Sequence, residues 1–314
     1  MKALQLSEYG VPDGLQFTDI AEPSLGEGEV LVRPAATSVN PLDLKLMSGS
    51  MRSFVELDLP WTPGHDVAGV VEAVGPGVTG IEVRARVAGF CGRRAGAFAE
   101  RVVLGPDSTV ASLPTAVSYE QAAAVTMVGL MASAVLRAAE RITAGSTVLI
   151  IGAAGGVGSV LSQLCVRAGA QVITADLPGT APYLSELGVH RAIELDGASA
   201  AASLRESRVH DVDTVIDLVH HGWQQTERFT DVASLVKPGG QLLSTLHGPQ
   251  VREDITLSYV SVDAHRPGDL EQVLAMVAAG ELRQRIDTRP FEDAIEAITA
   301  VGAGKTTGKI VLTR

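Results

Sequence analysis

The sequence predicts an α/β protein in which a doubly wound parallel sheet follows a β-rich region. Three observations predict it. The run Val148-Leu-Ile-Ile-Gly-Ala-Ala-Gly-Gly-Val-Gly158 sets four apolar residues before a glycine-rich turn. Past the turn, Val157, Val160, Leu161, Leu164, Cys165 and Ala168 are spaced as one face of a helix. From about residue 122 to residue 247, apolar strands alternate with helical segments, the alternation that builds a parallel sheet.

The elements follow in order. Lys2–Leu6, Glu29–Arg33, Val67–Val74 and Val83–Ala88 read as short strands, punctuated by Pro23, Pro34, Pro41, Pro60, Pro63, Pro76 and many glycines. The sheet strands are then Val148–Ile151, Gln171–Ala175, Arg191–Leu195, Thr214–Asp217 and Gln241–Thr245. Lys237-Pro-Gly-Gly240 reads as a turn between a helix over Phe229–Leu235 and the last of these strands. Helices over Leu270–Ala279 and Glu292–Ala300 precede a closing strand, Lys309–Thr313. There is no internal repeat and no low-complexity linker.

Composition narrows the function. A chain of 314 residues suits two domains. Hydrophobic residues make up 46% and aromatics 4%, so the core is aliphatic. A net charge of −11 with no basic run argues against nucleic acid or an anionic membrane as partner. Cys91 and Cys165 form no metal-ligand pattern and imply no disulfide framework. No signal sequence opens the chain and no apolar run reaches membrane length, so the expected location is the cytoplasm.

A strand, a glycine turn and a helix make a cradle for a pyrophosphate. The glycines admit the phosphates to the backbone, and the free N–H groups of the helix start bind the anion. Asp176 ends the second strand eighteen residues beyond Gly158. An acid at that distance hydrogen-bonds the adenosine ribose and repels a 2′-phosphate. The other reading is a strand-end acid capping the turn at Pro178-Gly179. No Arg or Lys stands between Asp176 and Gly188, so charge favours NADH. The expected cofactor contacts are Gly152, Ala154, Gly155, Gly156, Val157 and Asp176. At the carboxyl ends of later strands, where open α/β sheets bind ligands, they are Leu218, Val219, Thr245 and Leu246.

Several motifs in order resemble the zinc-free quinone oxidoreductase and enoyl reductase branch of the medium-chain dehydrogenases and reductases. They are Ser38-Val-Asn-Pro-Leu-Asp-Leu-Lys45, Pro63-Gly-His-Asp-Val-Ala-Gly-Val-Val-Glu72, Gly96-Ala-Phe-Ala-Glu100, Ala153-Ala-Gly-Gly-Val-Gly158, Lys237-Pro-Gly-Gly240 and Thr307-Gly-Lys-Ile-Val311. The resemblance implies a GroES-like domain over residues 1–118 and 257–314, with a Rossmann domain over 119–256. It implies an active site in the cleft, commonly a homodimer, and hydride transfer from a nicotinamide, usually NADPH. The acceptors it implies are quinones or the β-carbon of α,β-unsaturated carbonyls.

Zinc-dependent relatives place a Cys where this chain has Asn40 and a His where it has His65. One such ligand out of three does not hold zinc, so no metal is expected and His65 reads as a hydrogen-bonding loop histidine. Charge on the substrate oxygen then needs other donors. By resemblance Asn40 sits beside the nicotinamide ribose. Lys45 matches a lysine of enone-reducing members and replaces the tyrosine of others; it either polarises a carbonyl, holds the cofactor, or is a solvated loop lysine. Asp43 braces the loop.

Three departures stand out. Gly129-Leu-Met-Ala132 puts Met131 where the family lends a threonine hydroxyl to the cofactor, a bond worth roughly 1 kcal/mol. Asp217-Leu-Val-His-His221 replaces Asp-x-Val-Gly-Gly. Asp176 replaces the serine and basic pair that follow the second strand. The histidines His220, His221 and His247 follow parallel strands. With an ordinary pKa of about 6.5, one of them protonates the product or all merely fill the rim; His247 is the first candidate.

The sequence therefore points to an NAD(P)H-dependent reductase of a quinone or an activated double bond. A tailoring enoyl reductase for a bulky polyketide-like enone is the alternative. A non-catalytic nucleotide-binding member, sensor or structural, is the reading from a different class.

Overall fold

The computed structural model describes residues 1–195 and 200–314. The chain forms two compact units, residues 1–127 with 270–314, and residues 128–269.

The first unit is β-rich. Its strands are β1 (Lys2–Leu6), β2 (Leu15–Asp19), β3 (Val30–Ser38), β4 (Asp66–Val74), β5 (Arg86–Phe90), β6 (Val102–Leu104) and β7 (Thr109–Ser112). Helix α1 (Pro41–Met47) follows β3, and α2 (Tyr119–Ala138) runs from the first unit into the second. β1 and β2 form a separate antiparallel pair.

The second unit alternates strand and helix: β8 (Thr147–Ile151), α3 (Gly156–Arg167), β9 (Gln171–Asp176), α4 (Ala181–Glu186), β10 (Arg191–Glu194), α5 (Ala200–Glu206), β11 (Val212–Asp217), α6 (Thr226–Ala233), β12 (Val236–Ser244) and β13 (Thr256–Tyr259). The chain returns to the first unit with α7 (Asp269–Ala278), β14 (Ile286–Pro290), α8 (Ala294–Gly302) and β15 (Lys309–Thr313).

In the second unit the order is β10-β9-β8-β11-β12-β13, with every pairing parallel. The central strands β8 and β11 are buried on both faces, hence the apolar runs Val148–Ile151 and Val215-Ile216. The order reverses between β8 and β11, and ligands of such sheets bind at that switch point. The first unit's larger sheet runs β14-β15-β3-β4-β5-β7, with β6 on β3. Its cores are mainly aliphatic: Leu4, Leu6, Met47, Ile298 and Leu312 with the aromatic Phe98 in one cluster, Val32, Val67, Val71 and Val87 in another.

Three differences from the sequence reading have physical causes. Lys237–Gly240 lies within β12 rather than between elements. The register against β11 jumps from Val212↔Val236 to Thr214↔Gln241, so these residues bulge out of the ladder with Gly239 at φ 73°. β13 extends the parallel sheet beyond residue 256, where the sequence reading turned to the other domain. Its four residues, Thr-Leu-Ser-Tyr, are half polar because it is an edge strand. Finally, α2 is long and apolar enough to cross a membrane by length and composition, contrary to the expectation of no such run. Of its apolar window 67% is buried inside the fold, as befits a core helix.

Candidate functional site

The candidate site of the second unit is built largely of backbone. After β8 the chain turns at Gly152, φ 82°, a conformation that glycine adopts without strain. A Cβ there would also stand 2.7 Å from Val219 Cγ2. Gly158 is tighter still, since its Cβ would meet Gly152 O at 2.2 Å. Gly155 is different: its Cβ would meet only Gly152 O, at 3.5 Å. Two glycines are thus required by packing, and the third leaves open space beside the helix start. No side chain caps α3, and its first turn has no acid. Its leading N–H groups are the donors that an anion takes at a helix N-terminus.

Asp176 closes on this turn. Its Oδ2 accepts the Ala154 N–H at 2.6 Å and its Oδ1 accepts the Leu177 N–H at 2.7 Å. Partial burial pushes its carboxyl above the ordinary value, and these two bonds pull it back. The acid thus caps its own turn, and it stands at the glycine loop with acceptor capacity to spare.

At the end of β11, buried Asp217 accepts the N–H groups of Val219 and His220 and pairs with His220 Nδ1 at 3.0 Å. Val219 is 50% exposed, directly over Gly152. Leu218, Thr245 and Leu246 are half-buried and Met131 is buried on α2. His247 is exposed, its ring 5.0 Å from that of Tyr259. The Tyr259 hydroxyl donates to Gly248 O at 2.6 Å. Of the strand-end histidines, His220 has a partner that fixes its ring, whereas His247 is the accessible one. The loops of β11 and β12 meet at glycine: a Cβ on Gly222 would stand 2.3 Å from Gly248 Cα.

The first unit carries a separate candidate, a buried polar network. Asp66, fully buried, accepts from Ser38 Oγ (2.6 Å), Asn40 Nδ2 (2.8 Å) and the Met127 N–H (2.9 Å). Lys309 Nζ donates to Asn40 Oδ1 (2.6 Å) and Val39 O (2.9 Å), and lies 3.9 Å from Asp66. Asp43 Oδ2 accepts the Asn40 N–H at 2.8 Å, while its Oδ1 meets His65 Nδ1 at 2.6 Å. Burial raises the Asp66 carboxyl and lowers the Lys309 ammonium, each opposed by the charge of the other. The same burial holds the Cys91 thiol well above its usual range.

Asn40, expected beside the nicotinamide ribose, is 1% exposed with both ends of its amide engaged in this network. Asp43, not Asn40, makes the side-chain bond at the start of α1. Lys45 projects from α1 half-buried, and burial lowers its ammonium below the ordinary value. Among the described residues no carboxylate pairs with it. Lys309 lies within the Thr307-Gly-Lys-Ile-Val311 motif, which by itself assigns it no role. Nothing local marks it, because its partners lie about 270 positions away.

The alcohol dehydrogenase GroES-like domain family matches residues 26–115, and the zinc-binding dehydrogenase family matches residues 187–312. A quinone oxidoreductase of Pseudomonas aeruginosa is 30% identical over 99% of this chain and 99% of its own length. A 2-methylene-furan-3-one reductase of Solanum lycopersicum is 28% identical over 99% of this chain and 79% of its own length. The solved quinone oxidoreductase of Pseudomonas syringae superposes with a TM-score of 0.86 at 29% identity, covering 100% of this chain and 99% of that one. The chain belongs to the quinone oxidoreductase branch of the medium-chain dehydrogenase and reductase superfamily and is an oxidoreductase.

The second family description raises zinc, and the residues do not fit it. Asn40 offers an amide in place of a thiolate, and that amide is already bonded to Asp66 and Lys309, so His65 Nε2 has no such partner ligand. Among the described residues no group of three His, Cys, Asp or Glu side chains is placed to hold a metal ion. The glycine turn does fit a dinucleotide. The uncapped first turn of α3 and the open face of Gly155 are donor-rich backbone that a phosphate can approach.

Proposed function

We propose that this protein reduces a quinone, or the β-carbon of an α,β-unsaturated carbonyl, with NADH or NADPH and without a metal. The observation that carries the reading is the glycine turn, whose Gly155 face is left open while its other contacts are filled. Gly152, Ala154, Gly155, Gly156 and Val157 hold the pyrophosphate on backbone donors, and Asp176 takes the adenosine ribose. Met131, Leu218, Val219, Thr245 and Leu246 complete the contacts. When bound, the nicotinamide supplies hydride, two electrons and one proton together.

The chain's own work is at the substrate oxygen. Hydride at the β-carbon leaves an enolate, and hydride on a quinone leaves a hydroquinone anion. Lys45 gives that oxygen a partly desolvated ammonium, which stabilises new negative charge more than a solvated one does. An unpaired cation fits a substrate whose charge appears only during reaction. His247, exposed at the end of β12, is the candidate that returns a proton to carbon or oxygen, and water is the other source. Asn40 acts by holding the start of α1. The tomato relative, named for an enone, supports the double-bond form of this reading.

The test is titration with NADH and NADPH, followed by turnover with a panel of quinones and enones. Tighter NADH binding that reverses in Asp176→Ser supports the cofactor assignment. If neither nucleotide binds, the reductase reading falls. Lys45→Met is expected to lower kcat by about 10²-fold at unchanged thermal stability. His247→Asn is expected to lower turnover more than about tenfold if the ring donates the proton; unchanged turnover removes that role.

A further inference from the structure

We propose that Lys309 is a positioning residue: its ammonium, fixed between Val39, Asn40 and Asp66, holds the entry of α1 and thereby sets where Lys45 stands. The proposal rests on the reading of Lys45 as the cation that meets the substrate oxygen.

The chain delivers Lys309 with little freedom. Gly308 sits at φ 74°, and a Cβ on it would stand 2.2 Å from Arg285 O. The Lys309 N–H then bonds Arg285 O at 2.9 Å. β15 pairs antiparallel with β3, Val311 opposite Ser38, and Val39 N–H donates to Ile310 O at 3.1 Å. The side chain therefore enters at the junction where β3 ends and α1 begins. Its two bonds, to Val39 O and Asn40 Oδ1, pin consecutive residues of that junction.

From Asn40 the constraint passes on by hydrogen bonds. Asn40 Nδ2 is tied to Asp66, and the Asn40 N–H to Asp43 at the third helical position. Asp43 is tied in turn to His65 and to the Gly64 N–H, 3.3 Å away. Pro41 fixes φ at the first position of α1. Lys45 follows five residues after Asn40 on the same short helix. Packing alone does not account for an ammonium here. An apolar side chain of similar length would hold β15 to β3 but would leave the buried Asp66 carboxyl without this counter-charge. Beyond that counter-charge, the ammonium gives the Asn40 amide a fixed direction.

Lys309→Met in the full chain tests this. The first readout is acylation of Lys45 by an N-hydroxysuccinimide ester, measured by peptide mass spectrometry against exposed Lys305. The proposal expects the Lys45 to Lys305 ratio to change by about threefold or more, as a half-unit pKa change or a reoriented amine produces. An unchanged ratio in folded Lys309→Met overturns it. The second readout is kinetic. The kcat is expected to fall about tenfold while the KM for the nicotinamide nucleotide stays within about twofold. Lys45→Met/Lys309→Met is expected to turn over no more slowly than Lys45→Met alone, the non-additivity of residues acting as a unit. Additive losses overturn the proposal.

Should Lys309→Met not fold, Asn40→Ser carries the same labelling test. Serine starts a helix as well as asparagine does and leaves Lys309 with Asp66 and Val39. A wild-type labelling ratio in that variant also overturns the proposal. Absence of wild-type turnover sinks the functional reading instead, and the labelling ratio still decides the role of Lys309.

Discussion

The glycine turn of the second unit and the polar network of the first are built in opposite ways. The turn is local: residues 152–158 lie in one stretch, and their geometry follows from missing side chains and one positive φ. The network is long-range: its groups come from β3, α1, β4, α2 and β15, and all of its bonds are made by side chains in the core. The backbone turn tolerates loss of any one hydrogen bond but no added volume at Gly152 or Gly158. Side-chain networks tolerate some change of volume but no missing partner. The turn and the network should therefore fail differently when mutated.

The largest effect belongs to the network. Asp66→Ala removes the acceptor of three donors and leaves Lys309 buried without its counter-charge. Breaking a buried pair in this way costs about 3–5 kcal/mol. Urea unfolding followed by circular dichroism should show that loss in the first unit. A loss below about 1 kcal/mol would mean that water replaces the carboxylate, and that the network is open rather than closed.

Next is a pair of substitutions within the turn. Gly158→Ala forces a Cβ against Gly152 O and Ala153 Cα, at 2.2 and 2.6 Å. Overpacking of that kind costs about 1–3 kcal/mol, read as a lower melting temperature. Gly155→Ala meets nothing closer than 3.5 Å and has φ −73°, so the fold should be unmoved. Its methyl group instead occupies the face offered to a phosphate. A weaker nucleotide Kd at unchanged melting temperature is the expected result. Unchanged binding in Gly155→Ala would show that the phosphates lie elsewhere on the loop.

The same contrast decides what the sequence disclosed. The second unit was legible because its signals are periodic and local: β8, α3, β9 and β11 lie within two residues of their expected bounds. The edge strands β2 and β13 were not, because each carries few apolar residues and faces solvent on one side. Asn40 and Lys45 were visible as a motif, yet the burial of Asn40 was not. It depends on Lys309, which arrives by the register of β15 on β3. His220 looked equivalent to His247 in sequence, and only the position of Asp217 separates them. Sequence patterns report which residues share a face. They do not report which buried donor meets which acceptor.

The smallest predicted effect concerns Asp176, where the two kinds of construction meet, since a side chain there braces a backbone loop. Partial burial raises its carboxyl above the unfolded value of about 3.9. A raised acid binds its proton more tightly in the folded state than in the unfolded one. Between the two pKa values the folded state holds more protons, so stability falls as pH rises through that window. Below the unfolded pKa the penalty is absent; above the folded pKa it is complete. Asp176→Asn keeps an acceptor for the Ala154 N–H and removes the titration. Its stability relative to wild type should therefore improve between pH 3 and pH 7, with urea midpoints measured at both (roughly the carboxylate window). A difference that does not vary with pH would mean that the bonds from Ala154 and Leu177 fully offset the burial. In that case the carboxylate already stands ionised at the loop, at no cost in stability, before any ribose hydroxyl reaches it.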